Sequence, residues 1–226
     1  MLLAPLLLAG CEGFTRGPLS ALDPAGPQAQ AVARLWWAML AAAAVLFALV
    51  MALYLWALVR PEAAAKIPAR RWIILGGIVL PLPVLLPLGV VALLLGEAIL
   101  RPGPAPFQVA AHAQQWQWTF TYPGHPGATS IDLLHIPAGR PVEVTLTSGD
   151  VIHSFWVPRL GGKMDAIPGR QTRAVISAGA PGSYGGQCAE YCGTGHSFMA
   201  FEVIAHPEAD LPDALAALPA TEEPAE

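Results

Sequence analysis

Charge is scarce in this chain, and so is cysteine. Only 12% of its 226 residues are charged and 54% are hydrophobic, a balance too apolar for an ordinary soluble protein. Three cysteines cannot build a disulfide scaffold, and two of them, Cys188 and Cys192, belong to one short motif. No Cys-x-x-Cys-His is present, which excludes a fused c-type haem domain. Basic residues are short in the second half. Residues 102–226 carry five (Arg140, Arg159, Lys163, Arg170, Arg173) against twelve acidic ones, a balance of −7; residues 1–101 carry seven basic and four acidic, +3, and the halves sum to −4. An acidic half argues against nucleic acid as a partner and for a basic one. A basic, greasy half joined to an acidic, polar half reads as a membrane anchor carrying a globular domain.

The first residues also lack something: no Lys or Arg precedes the apolar run Met1–Gly10, as a signal peptide's start requires. The run nevertheless ends Leu8-Ala9-Gly10-Cys11, which resembles a bacterial lipoprotein signal. Residues 1–11 are therefore expected to be a signal peptide with Cys11 lipidated. Residues 12–33, rich in Gly, Pro, Ala and Gln, read as a flexible linker.

Within 34–101 lie two uncharged spans, Leu35–Val59 and Trp72–Gly96, each of 25 residues. About 20 apolar residues cross a bilayer core, so the pair predicts a transmembrane hairpin. Pro81, Pro83 and Pro87 interrupt the second span, which membrane helices tolerate where neighbouring protein satisfies the freed carbonyls. The loop between the spans carries Arg60, Lys66, Arg70 and Arg71 against Glu62, so the positive-inside rule makes it cytoplasmic. Both termini then face outward, toward the periplasm of a bacterial inner membrane.

From 102 to 206 the pattern changes to short runs of period two separated by Gly, Pro and Asp. In Gln115–Tyr122 the even positions are Trp116, Trp118, Phe120 and Tyr122. Pro141–Ser148, Val151–Val157, Thr172–Ser177 and Phe198–Ala205 are further candidates. Several short strands at this spacing predict a β-sandwich or barrel. The tail, 207–226, is acidic and Pro/Ala rich, with a short helix expected around Leu211–Leu218.

One stretch of that domain carries chemistry. Gln187-Cys-Ala-Glu-Tyr-Cys-Gly-Thr-Gly-His-Ser-Phe-Met199 gathers two thiols, an imidazole and a thioether. Soft sulfur with imidazole suits copper, zinc or iron–sulfur chemistry, and methionine favours electron-transfer copper. Cys188, Cys192, His196 and Met199 are spaced four, four and three apart, as on a helix stripe, but Gly185, Gly186, Gly193 and Gly195 surround them. Each interior glycine costs a helix about 1 kcal/mol, so the stretch reads as a loop needing close backbone approach to something. The spacing is not that of a zinc finger. A copper site needs a second histidine upstream; His153, at the end of a strand in Asp150-Val-Ile-His153-Ser-Phe-Trp156, is the best placed. His112, His125, His135 and His206 read as surface or loop residues.

Together, Asp150-Val-Ile-His153-Ser, Lys163-Met-Asp165-Ala-Ile-Pro168-Gly169-Arg170 and Gln187–Met199 resemble subunit II of cytochrome c oxidase, over residues 35 to about 205. The resemblance implies two membrane helices followed by a cupredoxin-like Greek-key β-sandwich with a binuclear copper A centre. Cys188 and Cys192 would bridge two coppers, His153 and His196 would each cap one, and Met199 and the Glu190 carbonyl would be the axial ligands. The Glu190 side chain would help hold a Mg²⁺ or Mn²⁺ ion shared with subunit I. Trp116 would receive electrons from cytochrome c, with Asp150 as a docking carboxylate; subunits I and III and the lipid bilayer would be the standing partners. Strict alternation would put Trp116 on the face of Trp118, so its exposure requires a strand end or bulge. The family's usual glutamate three residues before the tryptophan opening the second helix, associated with proton uptake, is Ala69 here. Quinol oxidase subunits share the architecture but lack the copper ligands, all of which are present. A copper chaperone or thiol oxidoreductase would place its cysteines on a βαβ scaffold, which this pattern does not offer.

Overall fold

The computed structural model describes residues 15–100 and 106–219. Cys11 and the expected signal peptide lie outside the described residues, as does the end of the tail from residue 220. Two compact units emerge: one is Arg34–Ala98, and the other joins the residues up to Ala33 with those from Ile99 onward.

The first helix, α1 (Pro27–Val59), is followed by the short α2 (Pro61–Ala65) and by α3 (Ala69–Ile74), which continues through Leu75–Val79 into α4 (Pro81–Leu100). Two helical stretches, Pro27–Val59 and Ala69–Ile99, are long and apolar enough to cross a membrane. Both start before the uncharged spans, because Ala, Gln and Arg continue a helix as readily as Leu does. Leu75–Val79 is a π-helical turn, in which the Leu80 amide bonds the Leu75 carbonyl five residues back (2.9 Å). Its cause follows directly in the sequence. Pro81 has no amide to donate, and its ring clashes with the carbonyl four residues earlier; widening the preceding turn relieves that clash.

The β unit is a two-sheet sandwich with strand orders β3-β2-β1-β5-β8 and β4-β10-β9-β6-β7. The first sheet holds β1 (Phe107–Gln114), β2 (Gln117–Thr121), β3 (Thr129–Ile131), β5 (Val142–Ser148) and β8 (Thr172–Ile176). The second holds β4 (Leu133–Pro137), β6 (His153–Trp156), β7 (Met164–Ala166), β9 (Gly182–Cys188) and β10 (Ala200–His206). Two pairings are parallel, β1 with β5 and β10 with β4. Repeated crossing between the sheets gives the expected cupredoxin-like arrangement.

Alternation drives the packing. In β2, Trp118 and Phe120 are fully buried, and Tyr122 just beyond it nearly so, while Gln117 and Thr121 face solvent. Trp118, Phe120, Phe155 and Phe201 meet across the sandwich with ring centroids 5.0–6.5 Å apart, joined by Leu134, Val144, Leu146 and Val203. Trp116 leaves this face, because β2 starts two residues later than the alternation implies. Gln114 pairs with Gln117, leaving Gln115 and Trp116 as a two-residue hairpin turn.

Two expectations are corrected. His135 and His206 are not surface or loop residues. They sit on β4 and β10 with rings stacked at 5.1 Å and His135 Nδ1 2.9 Å from His206 Nε2. Burial, and then the neighbouring His206, lower the His135 pKa. The folded chain therefore holds this imidazole neutral, and its contribution to stability is present above the unfolded pKa near 6.5 and is lost as pH falls. Lowering pH from about 7.5 to about 5.5 is expected to reduce the denaturant midpoint of the β unit, and His135→Gln to flatten that dependence. An unchanged slope in the variant would assign the pH effect to other groups.

The second correction concerns the flexible linker. From Pro18 to Gly26 it lies against the β unit, held by backbone hydrogen bonds to Arg159 and Gly179. Gly, Pro and Ala here signal close backbone approach rather than freedom, since small residues allow two chains to touch.

Candidate metal centre

The motif folds as a loop between β9 and β10, closed by one turn of 3₁₀ helix, His196–Phe198. Cys188 ends β9, and its amide bonds the Met199 carbonyl (2.9 Å), so the loop's two ends are tied together. β6 runs beside β9, with Phe155 opposite Cys188, and this pairing delivers His153 from 35 residues earlier.

Six donor atoms converge. The Cys188 and Cys192 sulfurs are 3.9 Å apart. On one side His153 Nδ1 lies 3.9 Å from Cys188 Sγ and 3.2 Å from Met199 Sδ, and Met199 Sδ is 3.7 Å from Cys192 Sγ. On the other side His196 Nδ1 lies 3.6 Å from Cys192 Sγ, and the Glu190 carbonyl 3.3 Å from Cys188 Sγ. His153, Cys188 and Cys192 form one mutually close set, with ligand atoms within 4.8 Å; His196 does not join it. Each thiol thus has two further donors beside it, His153 and the Glu190 carbonyl at Cys188, His196 and Met199 at Cys192, with His153 and Met199 also in contact.

His153, Cys188 and Met199 have no solvent exposure and Cys192 almost none. Burial, and then the neighbouring Cys188, push the Cys192 thiol well above its ordinary pKa. A metal that takes up the Cys192 thiolate must therefore displace its proton, so binding strengthens as pH rises.

His153 is held by Asp150. The imidazole Nε2 is 2.8 Å from Asp150 Oδ1, which leaves Nδ1 turned toward the sulfurs. A carboxylate behind a ligating histidine fixes its tautomer and raises its basicity. Asp150 also accepts the Val151 amide at 2.6 Å and the Gln115 amide at 2.8 Å. Partial burial raises its pKa, but these hydrogen bonds and His153 outweigh that and hold it at about 2. Both oxygens are engaged within the molecule, which gives Asp150 a positioning role that the sequence did not suggest.

The close approach foreshadowed by the glycines is to Trp116. A side chain at Gly195 would fall 2.4 Å from the indole ring. Trp116 Nε1 donates to the Cys192 carbonyl (3.3 Å), as does Gln115 Nε2 (2.6 Å). Trp116 is 41% exposed, so one ring joins solvent to the carbonyl of a cysteine in the donor set. Tyr191 and Phe198, flanking His196, are also exposed. The Glu190 carboxylate lies 3.8 Å from Lys163, which is equally near Asp165.

Residues 129–206 match the family described as cytochrome c oxidase subunit II, periplasmic domain. That stretch of the chain carries the periplasmic domain of the cytochrome c oxidase subunit II family. It is 42% identical over 129 residues to cytochrome c oxidase subunit 2 of Synechocystis, covering 57% of this chain and 38% of that protein. It is 32% identical over 215 residues to the subunit 2 of Alkalihalophilus pseudofirmus, covering 88% of this chain and 61% of the relative. The chain thus spans less than two thirds of either relative's length. A solved structure, the periplasmic domain of subunit II of cytochrome oxidase from Bradyrhizobium japonicum, aligns at 27% identity with a TM-score of 0.49, over 52% of this chain and 96% of that one. This chain gathers two thiols, two imidazoles and a thioether between β6 and the β9–β10 loop.

Proposed function

We propose that this chain is the electron-accepting subunit of a heme-copper cytochrome c oxidase, holding a binuclear copper A centre between β6 and the β9–β10 loop. The observation that carries the reading is the convergence of six donors on the Cys188–Cys192 pair, more than one metal ion of this kind needs. A bound copper pair would supply a one-electron couple. Cys188, Cys192, His153, His196, Met199 and the Glu190 carbonyl would hold it, the two thiolates being the donors that both ions could share. The protein's part is to fix these donors in a buried, hydrogen-bonded frame, so that little moves when charge is gained or lost. Trp116 offers the exposed edge at which cytochrome c delivers electrons, and the acidic balance of the domain steers a basic donor protein toward it.

Subunit I, whose haem takes the electron onward, and subunit III are the proposed standing partners. The exposed Tyr191 and Phe198 beside His196 suit a covered contact. This chain offers the Glu190 carboxylate to a Mg²⁺ or Mn²⁺ ion, a hard cation that oxygen ligands suit, with the remaining ligands from subunit I. The basic loop 60–71 faces the cytoplasm and the β unit the periplasm of a bacterial inner membrane. Lipid attachment at Cys11 belongs to the same topology.

Full-length chain loaded with copper in detergent is expected to be purple and to give a mixed-valence, seven-line EPR pattern. A four-line single-copper spectrum, or preferential zinc binding, would overturn the reading.

A further inference from the structure

The segment ahead of α1 carries its own set of contacts to the β unit. The Ala25 and Gly26 amides both donate to the Arg159 carbonyl (2.7 and 3.1 Å), and the Gly179 amide donates to the Ala25 carbonyl (2.8 Å). The Arg159 side chain returns the contact: Nε donates to the Asp23 carbonyl (2.8 Å), and Nη2 pairs with the Asp23 carboxylate (3.0 Å). The same guanidinium lies over the Tyr184 ring, 5.5 Å from its centroid. Fit is as close as the backbone allows. A Cβ on Gly26 would fall 2.1 Å from the Ser177 carbonyl, and one on Gly185 would meet Pro18 and Leu19 at about 3 Å. Beyond Gly26, the first turns of α1 bury Ala29 and Ala33.

We propose that residues 18–26 are a strap, an internal ligand seated in a groove of the copper domain, which locks the segment leading into the first membrane helix to that domain once both have reached the same side of the membrane. The groove is built from Arg159, Leu160, Ser177, Gly179, Tyr184 and Gly185, all of which follow both membrane spans in the chain. The strap therefore has nothing to bind until the hairpin has inserted and the β unit has folded. Its closure requires the N-terminal segment and the β unit to share a compartment, so a chain with only one of its two spans inserted cannot close it. The ion pair is half-buried and lies beside the backbone contacts of Ala25 and Gly26, so the seat of the strap is mainly backbone. The inference does not depend on the metal reading.

Hydrogen–deuterium exchange on the full chain in lipid nanodiscs tests it, following segments 20–28 and 176–181. Both are expected to be protected. Gly26→Val, which cannot fit against Ser177, and Asp23→Lys, which sets two cations together, should each speed exchange about tenfold or more in both segments at once. Near-ultraviolet circular dichroism of the buried aromatics should stay unchanged. Exchange in the wild type at the unstructured rate, no acceleration in either variant, or acceleration of 20–28 alone would overturn the strap. Loss of the dichroism in both variants would overturn it too, by making the segment part of the sandwich core.

Discussion

Cys192→Ser is expected to remove the two-copper signature and to lower copper content from two per chain to at most one. The reason lies in the sharing of donors. Cys192 Sγ is within 4 Å of Cys188 Sγ, His196 Nδ1 and Met199 Sδ, so losing it would break both of the proposed coordination sets at once. Altering a group that merely supports a ligand costs about 10–100-fold in metal affinity; removing a shared ligand should exceed that range. Met199→Leu is the informative contrast, because it touches one set only. It should keep both coppers and shift the reduction potential, as changes of axial ligand do. Metal analysis and EPR on both variants check this. Two coppers retained with a normal spectrum in Cys192→Ser would mean that the metal is held elsewhere.

Trp116→Ala should slow electron uptake from reduced cytochrome c about tenfold or more, equivalent to at least about 1.4 kcal/mol of barrier, with the copper spectrum nearly unchanged. The indole is the exposed group hydrogen-bonded to the Cys192 carbonyl, and it lies outside the donor set. Stopped-flow reduction of the assembled oxidase measures the effect. The wild-type rate should also fall as salt rises, since an acidic domain attracting a basic donor is screened over about 8–10 Å at ordinary ionic strength. Loss of the copper spectrum in the variant would show instead that Trp116 supports the loop's fold.

Much of this was legible in the residues. Period-two alternation placed Trp118, Phe120 and Tyr122 in the core, and the uncharged spans marked the two long helices. The glycines around Cys192 signalled a close approach without naming its partner, because the partner, Trp116, lies 76 residues earlier and meets the loop only through the sandwich. The turn at Gln115–Trp116 was partly foreseen, as a strand end that exposes Trp116. The pairing of His135 with His206 was missed because period-two logic assigns a face, and says nothing of which strands become neighbours. The linker was misread for a related reason. Gly, Pro and Ala describe a free spacer and a tightly seated strand of chain equally well, and only the facing backbone of Arg159 and Gly179 decides between them.

Asp150 has a wider consequence. One carboxylate holds the amide that opens the Trp116 turn and the imidazole that faces the sulfurs. The proposed docking edge and the proposed metal-binding edge are therefore linked through a single residue. By thermodynamic reciprocity, whatever factor a bound donor protein applies to metal affinity through that residue, the metal applies to donor affinity in return. The two occupants need never touch to sense each other.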